Sequence, residues 1–167
     1  LAIIDLNEEA NQPMIFDDIL LVFNGEIYNY KELIHVEHLE CKTSSDSEVL
    51  IRLYQKYGFD FLNKLNGMFA FCIYDMKKEL YFCSRDRYGK KPFFYYFKDN
   101  KFIFSSSIKS ILNLLDYKPN LNKVALSKYM QYFVSFGEDT FYQDIYRLEA
   151  ASYIIFEPNK ACELQKK

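Results

Sequence analysis

The 167-residue sequence contains no tryptophan, only five glycines and only two histidines. The glycines, at 25, 58, 67, 89 and 137, are too dispersed to build a glycine-rich phosphate loop. A Ser-His-Asp site would have to recruit His35 or His38, and no nucleophile elbow is present. The four cysteines, Cys41, Cys72, Cys83 and Cys162, form no CxxC pair. Cys72 and Cys83 lie in apolar runs, where a thiol behaves as a small hydrophobe. A reduced, cytoplasmic location therefore fits better than a disulfide scaffold. The longest unbroken apolar run, Met68–Tyr74, has seven residues. A membrane-spanning helix needs about 20, so no membrane partner is expected. The net charge of −2 and a pI near 5.8 argue against a nucleic-acid partner, which would call for a basic face. The sequence begins Leu1-Ala2-Ile3-Ile4-Asp5, without an initiator Met or a signal segment, as if already inside a strand.

What is abundant is aromatic. Fifteen tyrosines and sixteen phenylalanines promise a large core, because each buried ring removes about 150–250 Å² from water. Strands are predicted over 1–4 and 19–24, and a short one over 39–43. A short helix is predicted over 30–37. A stronger helix follows Ser45, which with Glu48 makes a capping-box pattern, and Gly58 is its stop. Val49, Leu50, Leu53, Tyr54 and Tyr57 share one face of that helix. Short strands then follow at 68–74, 80–83, 93–97 and 102–104, separated by turn signals. The strand at 68–74 is apolar at successive positions, which predicts burial on both faces. Helical patterns at 107–115 and 121–133 precede a last strand at 153–156. The order points to an α+β fold with sheets covered on both faces.

Three polar clusters are candidates for chemistry. Asn24-Gly25-Glu26 follows directly on the apolar Ile19–Phe23. Asn-Gly is the strongest short hairpin signal, so a turn is the ordinary reading. Alternatively, a side-chain amide and a glycine N–H at a strand end can form an oxyanion hole, with Glu26 beside it for a cation. In Ser44-Ser45-Asp46-Ser47-Glu48, capping accounts for Ser45 and Glu48. Asp46 is left over, favoured by the helix dipole and able to face a ligand amine. In Arg85-Asp86-Arg87-Tyr88-Gly89-Lys90-Lys91-Pro92, the favoured reading is a structural turn with an Arg-carboxylate lock. His35, His38 and Cys41 have the spacing of a metal triplet. A helix surface running into a strand explains them better, and no metal is expected.

Together these stretches are too specific to be turns alone. Val22-Phe23-Asn24-Gly25-Glu26-Ile27-Tyr28-Asn29-Tyr30 is followed by Ser45-Asp46-Ser47-Glu48-Val49. Leu65-Asn66-Gly67-Met68-Phe69-Ala70-Phe71 and Arg85-Asp86-Arg87-Tyr88-Gly89-Lys90-Lys91-Pro92-Phe93 come next. The sequence resembles the glutaminase half of glutamine-hydrolysing asparagine synthetases, class II amidotransferases with an N-terminal nucleophile. It looks less like the purine-pathway and glucosamine-pathway branches after the Asn-Gly. The resemblance implies a four-layer α-β-β-α sandwich of antiparallel sheets, here incomplete at the N-terminus. It implies a partial amidotransferase domain over 1–156 and a tail, 157–167, toward a synthetase domain. It implies Asn24 and Gly25 as the oxyanion hole, and Glu26 and Asp46 as holders of the α-amino group of L-glutamine. Ile3 and Ile4 would contact glutamine through their backbone atoms. ATP and Mg²⁺ would act in the synthetase domain, with no cofactor in this chain. A homodimer is a further expectation.

Departures from the family pattern set further expectations. Leu1 aligns downstream of the nucleophilic cysteine of the family, so the chain by itself is expected to release no ammonia from glutamine. Ser107 stands where the family shows Glu. Leu148-Glu149-Ala150-Ala151-Ser152-Tyr153 replaces a Leu-Pro-Pro-Gly-His-Tyr-like turn. A non-catalytic module binding an amino acid or a partner, and an amidotransferase acting on another carboxylate, are the alternative readings.

Overall fold

Alternating burial organises the chain into two antiparallel sheets in the computed structural model, which describes residues 11–99, 101–159 and 165–166. In chain order come β1 (Met14–Phe16), β2 (Ile19–Ile27), α1 (Tyr30–Val36) and α2 (Asp46–Tyr57), then a 3-10 helix over Gly58–Lys64. They are followed by β3 (Gly67–Asp75), β4 (Leu80–Arg85), β5 (Phe94–Lys98), β6 (Lys101–Ser105), α3 (Ile108–Asn113) and α4 (Lys123–Tyr132). The last three strands are β7 (Ile145–Arg147), β8 (Tyr153–Phe156) and β9 (Gln165–Lys166). The larger sheet has the order β1-β2-β3-β4-β8-β9 and the smaller one β6-β5-β7. The strand expected over 1–4 lies outside the described residues.

Three hydrophobic cores separate the layers. On one side of the large sheet, Leu21, Phe23, Phe71, Ile73 and Phe82 meet Val49, Leu50, Leu53 and Tyr54 of α2. Between the sheets lie Ala70, Cys72, Cys83, Phe93, Tyr95, Leu148 and Ile154. Outside the small sheet, Ile111 of α3 packs with Tyr96 and Ile145. The layers are therefore helix, sheet, sheet, helix, the expected four-layer sandwich. Strand β3 explains why the alternation is lost in its sequence. Phe71 and Ile73 face the helices while Ala70 and Cys72 face the second sheet, so both faces need apolar side chains. Phe82 centres the first core, with the rings of Phe59, Phe71, Tyr153 and Tyr54 all within 6.1 Å of its own. Such ring pairs add about 0.5–1.5 kcal/mol each beyond area burial.

Two local expectations are corrected. Residues 39–43 form no strand, because the N–H groups of Lys42 and Thr43 are taken by the Glu48 carboxylate rather than by a ladder. Asn24-Gly25 is no hairpin turn, because it lies inside β2, with Asn24 opposite Ala70 and Gly25 opposite Phe69. Helix α1 is tied to α2 at its end by Glu37. Its carboxylate accepts from the Tyr57 hydroxyl, Lys64 Nζ and Lys56 Nζ, and these hydrogen bonds lower its pKa to about 2.

The turn at 148–153 has a consequence for stability. Ala151 adopts φ 56°, and its N–H donates to Asp86 O at 3.0 Å. In the left-handed region a Cβ meets the following carbonyl, which glycine avoids. The glycine of the family pattern falls at this position. Ala151→Gly is expected to raise unfolding stability by about 1 kcal/mol, read as a higher urea midpoint at unchanged slope. A midpoint below that of the parent chain would contradict the strain.

Candidate active site

Strand β2 ends in a run of polar and small residues whose backbone faces two ways. In an antiparallel pair, alternate residues turn both N–H and C=O to the same neighbour. Phe69 turns its N–H to the Asp86 carboxylate and its C=O to Asp86 N–H, away from β2. Its partner Gly25 therefore sits in a non-hydrogen-bonded pair and turns its own N–H away from β3. The neighbours two residues either way behave alike. Phe23 N–H donates to Gln12 Oε1 at 2.7 Å, and Ile27 N–H donates to Asp46 Oδ2 at 2.9 Å. Gly25 N–H lies between these two donors on the same edge of β2. Register with β1 stops at Leu21, so among the described residues no strand covers that edge at Gly25.

Gly25 is also required by the close approach of its neighbour. A Cβ there would stand 2.2 Å from Met68 O and 2.7 Å from the Phe69 Cα. Gly67, at the other end of the same pairing, would meet Glu26 O at 2.3 Å. Backbones this close leave room for no other residue.

The first turn of α2 delivers Asp46 to this edge. Ser45 caps the helix, its hydroxyl accepting from Ser47 N–H at 3.2 Å. The expected reciprocal bond from Ser45 N–H to Glu48 is absent, since Ser45 N–H donates to Thr43 Oγ1 instead. Glu48 turns back to Lys42 N–H, Thr43 N–H and the Thr43 hydroxyl, and pairs with Arg52 at 3.2 Å. Two amides, a hydroxyl and a guanidinium satisfy a buried carboxylate better than one amide does. The loop before α2 is thereby wound around Glu48, which fixes the helix tip and Asp46 with it. Glu48 is raised by burial, but these hydrogen bonds outweigh that and leave its carboxyl below the usual value.

Asp46 has the opposite balance. It is 5% exposed. Burial raises its proton affinity, and the neighbouring Glu26 charge raises it further. The N–H groups of Ile27, Ser47 and Asp46 itself offset only part of this. Among the described residues no Lys, Arg or His pairs with Glu26 or Asp46. A buried carboxylate at a strand end, within reach of the Glu26 charge, thus stands without a cation. A protonated amine placed there would relieve the repulsion.

Asn24 sits elsewhere in this arrangement. It lines a cleft of about 240 Å³ between the sheets, with Val22, Ala70, Cys72, Phe93, Ser105 and Ser106 among its walls. Asp46 is not one of those walls. Ile27 and Asp46 come together through their hydrogen bond, and Asn24 stands about 7 Å back along the strand from Glu26. Ile3 and Ile4 lie outside the described residues. Ser105 and Ser106 stand among the walls of that cleft without a motif to mark them beyond a run of three serines that begins at the last residue of β6.

The 85–92 segment is a structural turn, as expected, but its lock is not Arg-carboxylate. Asp86 is fully buried and accepts four backbone N–H groups, from Phe69, Tyr88, Lys90 and Lys91. Arg85 donates to the carbonyls of Lys91, Leu148 and Gly89, and Arg87 to that of Leu65. Main-chain partners win because three segments converge here with unpaired amides and carbonyls. Among the described residues, Cys41, Cys72 and Cys83 are free thiols. Cys72 and Cys83 are buried facing each other across β3 and β4, and Cys41 is pushed above its usual value by burial and by Glu48. Burial raises Cys41 and Cys83 above the usual thiol value, the opposite of an activated nucleophile. Also among the described residues, no three His, Cys, Asp or Glu side chains gather as metal ligands, and no helix is long and apolar enough to cross a membrane.

A four-layer α-β-β-α sandwich of antiparallel sheets is the fold of the N-terminal-nucleophile glutamine amidotransferases. Two solved structures share it at the level of fold. Glutamine phosphoribosylpyrophosphate amidotransferase from B. subtilis, complexed with ADP and GMP, superposes with a TM-score of 0.61 at 16% identity, over 96% of this chain and 32% of that one. A structure described as the allosteric regulatory enzyme of purine biosynthesis gives 0.60 at 18% identity, over 94% of this chain and 31% of that one. The chain belongs to the glutamine amidotransferase domain family, whose profile matches residues 1–166. Among curated relatives, a putative glutamine-hydrolyzing asparagine synthetase 2 of Methanocaldococcus jannaschii is 44% identical over 178 residues, 96% of this chain and 35% of that protein. Glutamine-hydrolyzing asparagine synthetase 1 of Bacillus subtilis is 34% identical over 95% of this chain and 26% of its own length. A fungal protein, amidase chry2 of Gibberella zeae, is 32% identical over 96% of this chain and 24% of its own length. The chain thus spans about a third or less of the relatives it matches.

Proposed function

We propose that this chain is the glutamine-binding part of an asparagine synthetase-like enzyme, which hydrolyses glutamine to supply ammonia for ATP-dependent amidation of aspartate. The observation that carries this reading is the single edge of β2 on which Gly25 N–H and the Asp46 carboxylate both lie. Asp46 and Glu26 hold the α-ammonium of glutamine. The side-chain amide then extends back along the strand toward Gly25 N–H and Asn24. When a thiolate adds to that amide carbon, negative charge collects on its oxygen. Gly25 N–H on that edge stabilises the charge, and the Asn24 amide, which lines the cleft between the sheets, has to turn toward it to act as the second donor. The amide nitrogen takes up the proton that the thiol gave up and leaves as ammonia, and water then cleaves the resulting thioester to glutamate and the free thiol. The attacking thiol is none of Cys41, Cys72 or Cys83. ATP and Mg²⁺ belong to the part of the relatives that this chain does not span, as does the choice of acceptor carboxylate. The likeness to amidase chry2 supports a second reading, an acceptor other than aspartate, with the same glutamine chemistry in this chain.

Calorimetry with the 167-residue chain tests the pocket. L-glutamine at millimolar concentration is expected to bind. Glutaramic acid, which keeps the amide but lacks the α-amine, is expected to bind at least about tenfold more weakly, since one charge-assisted contact is worth about 1.5–3 kcal/mol. No heat with glutamine, or equal affinity for both ligands, would remove the assignment.

A further inference from the structure

One large surface is left unused by the glutamine site. Met130, Tyr132, Phe133, Val134 and Phe136 are 66, 55, 76, 53 and 54% exposed. Five large apolar side chains within seven residues differ from the scattered exposed hydrophobics of an ordinary surface. Helix α4, from which they issue, buries only Ala125. The rings are fixed nonetheless. Tyr132 and Phe136 stand edge to face at 5.6 Å, and Tyr129 bridges Phe133 and Phe141 at 6.4 and 5.1 Å. Phe133 ends the helix at φ 55°, and Arg147 holds the following loop through the carbonyls of Gly137 (2.6 Å) and Ser135 (3.3 Å). A preorganised aromatic patch facing water is the usual centre of an interface.

We infer that this face, the end of α4 with residues 133–136, is where the synthetase polypeptide of the larger protein docks. The length of the relatives carries the choice of occupant. In each of them the matched segment is accompanied by about twice as much chain or more, held in the same polypeptide and so at high local concentration beside this face. Lys123, Lys128 and Gln131, exposed on the same helix, add polar groups near this face. The inference rests on the reading of this chain as part of a synthetase-like enzyme.

The test compares hydroxyl-radical oxidation of Met130, Tyr132, Phe133 and Phe136 in two proteins. One is the 167-residue chain. The other is the M. jannaschii relative with this chain grafted in place of its matched segment. Oxidation is expected to fall by about fivefold or more in the graft, as burial in an interface core requires. Equal oxidation in both overturns the inference. A fall in the free chain that grows with its concentration makes a second copy the occupant and overturns it too. The double variant Phe133→Asn, Phe136→Ser gives an independent reading. It is expected to lower the melting temperature of the free chain only slightly, through the two exposed ring pairs it removes, and to split the single unfolding transition of the graft into two. A graft that still melts in one step overturns the dock. Glutamine calorimetry on the free chain does not depend on this face, so a failed pocket and a failed dock give different results.

Discussion

Asp46→Asn is expected to remove measurable affinity for glutamine while leaving the fold in place. The asparagine oxygen can still accept from Ile27 N–H, the bond that joins the tip of α2 to the end of β2. What disappears is the negative charge. A ligand ammonium facing a neutral amide in a buried site loses about 2–5 kcal/mol, which is a thirtyfold loss or more. Asp46→Ala adds a second effect. It leaves a buried N–H without an acceptor, at a cost of about 1–3 kcal/mol of stability. The pair of variants therefore separates binding from folding: calorimetry reports a loss in both, and thermal melting reports a loss only in Asp46→Ala. Glutamine binding by Asp46→Asn within threefold of the parent would show that this carboxylate does not hold the amine.

The same residue sets a pH dependence. The folded-state pKa of Asp46 lies above its unfolded value, because burial and the Glu26 charge both favour the proton. The folded form therefore binds that proton more tightly. The contribution of Asp46 to stability is full below the ordinary carboxylate range and fades as pH rises through the raised value. Binding runs the other way, since the ammonium needs the carboxylate. Affinity for glutamine is expected to rise with pH over that interval, with a proton released on binding. Calorimetry in buffers of different ionisation enthalpy reads the released proton directly.

Much of this was legible in the sequence, and the rest was hidden for specific reasons. The double burial of β3 could be read because a strand covered on both sides has to abandon alternation. The start and end of α2 could be read because Ser45 and Gly58 act on their own chain neighbours. Strand β2 was extended only to residue 24, because Asn24-Gly25 carries the strongest local turn signal. The structure overrides it through the close backbone pairing of Gly25 with Phe69 and of Ile27 with Gly67, which lie some forty residues apart in sequence. Glu48 was assigned to a capping box because Ser45 stands three residues before it. Its true partners, Lys42, Thr43 and Arg52, become visible only once the preceding loop is seen to curl back. Asp46 was singled out as an unused acid near a helix start. That its anchor would be the Ile27 N–H, nineteen residues earlier, no local pattern could show. The glycine that the family pattern shows at Ala151 marks a backbone that turns left-handed in this chain.

Asp86→Ala is expected to cost stability most, by about 3–5 kcal/mol, and to weaken glutamine binding from behind the site. Its two oxygens divide the work. Oδ1 accepts from Tyr88 and Lys90 at 3.0 and 3.1 Å, and Oδ2 from Phe69 and Lys91 at 3.2 and 3.1 Å. Removing the carboxylate strands amides on both β3 and the 86–91 turn, where no solvent reaches Asp86. Asp86→Asn is expected to be nearly as harmful, because its NH₂ group must face two N–H donors whichever way the amide is turned. Phe69 is the residue opposite Gly25, so a loosened β3 lets the donor edge of β2 shift. The fraction that remains folded should then bind glutamine several-fold more weakly. Burial raises the Asp86 carboxyl, but the four N–H bonds outweigh it and leave the pKa below the ordinary value. Its stabilisation is therefore present above the ordinary carboxylate pKa and is lost as pH falls below about 4. This is opposite in sign to Asp46, so acid should weaken the turn at 86–91 while it favours protonated Asp46. Urea unfolding checks the main effect, with the midpoint falling by about 1–5 M for a slope of about 1–3 kcal/mol/M. An Asp86→Asn chain within about 1 kcal/mol of the parent would mean that those four amides find other acceptors, and that the turn does not brace the glutamine edge.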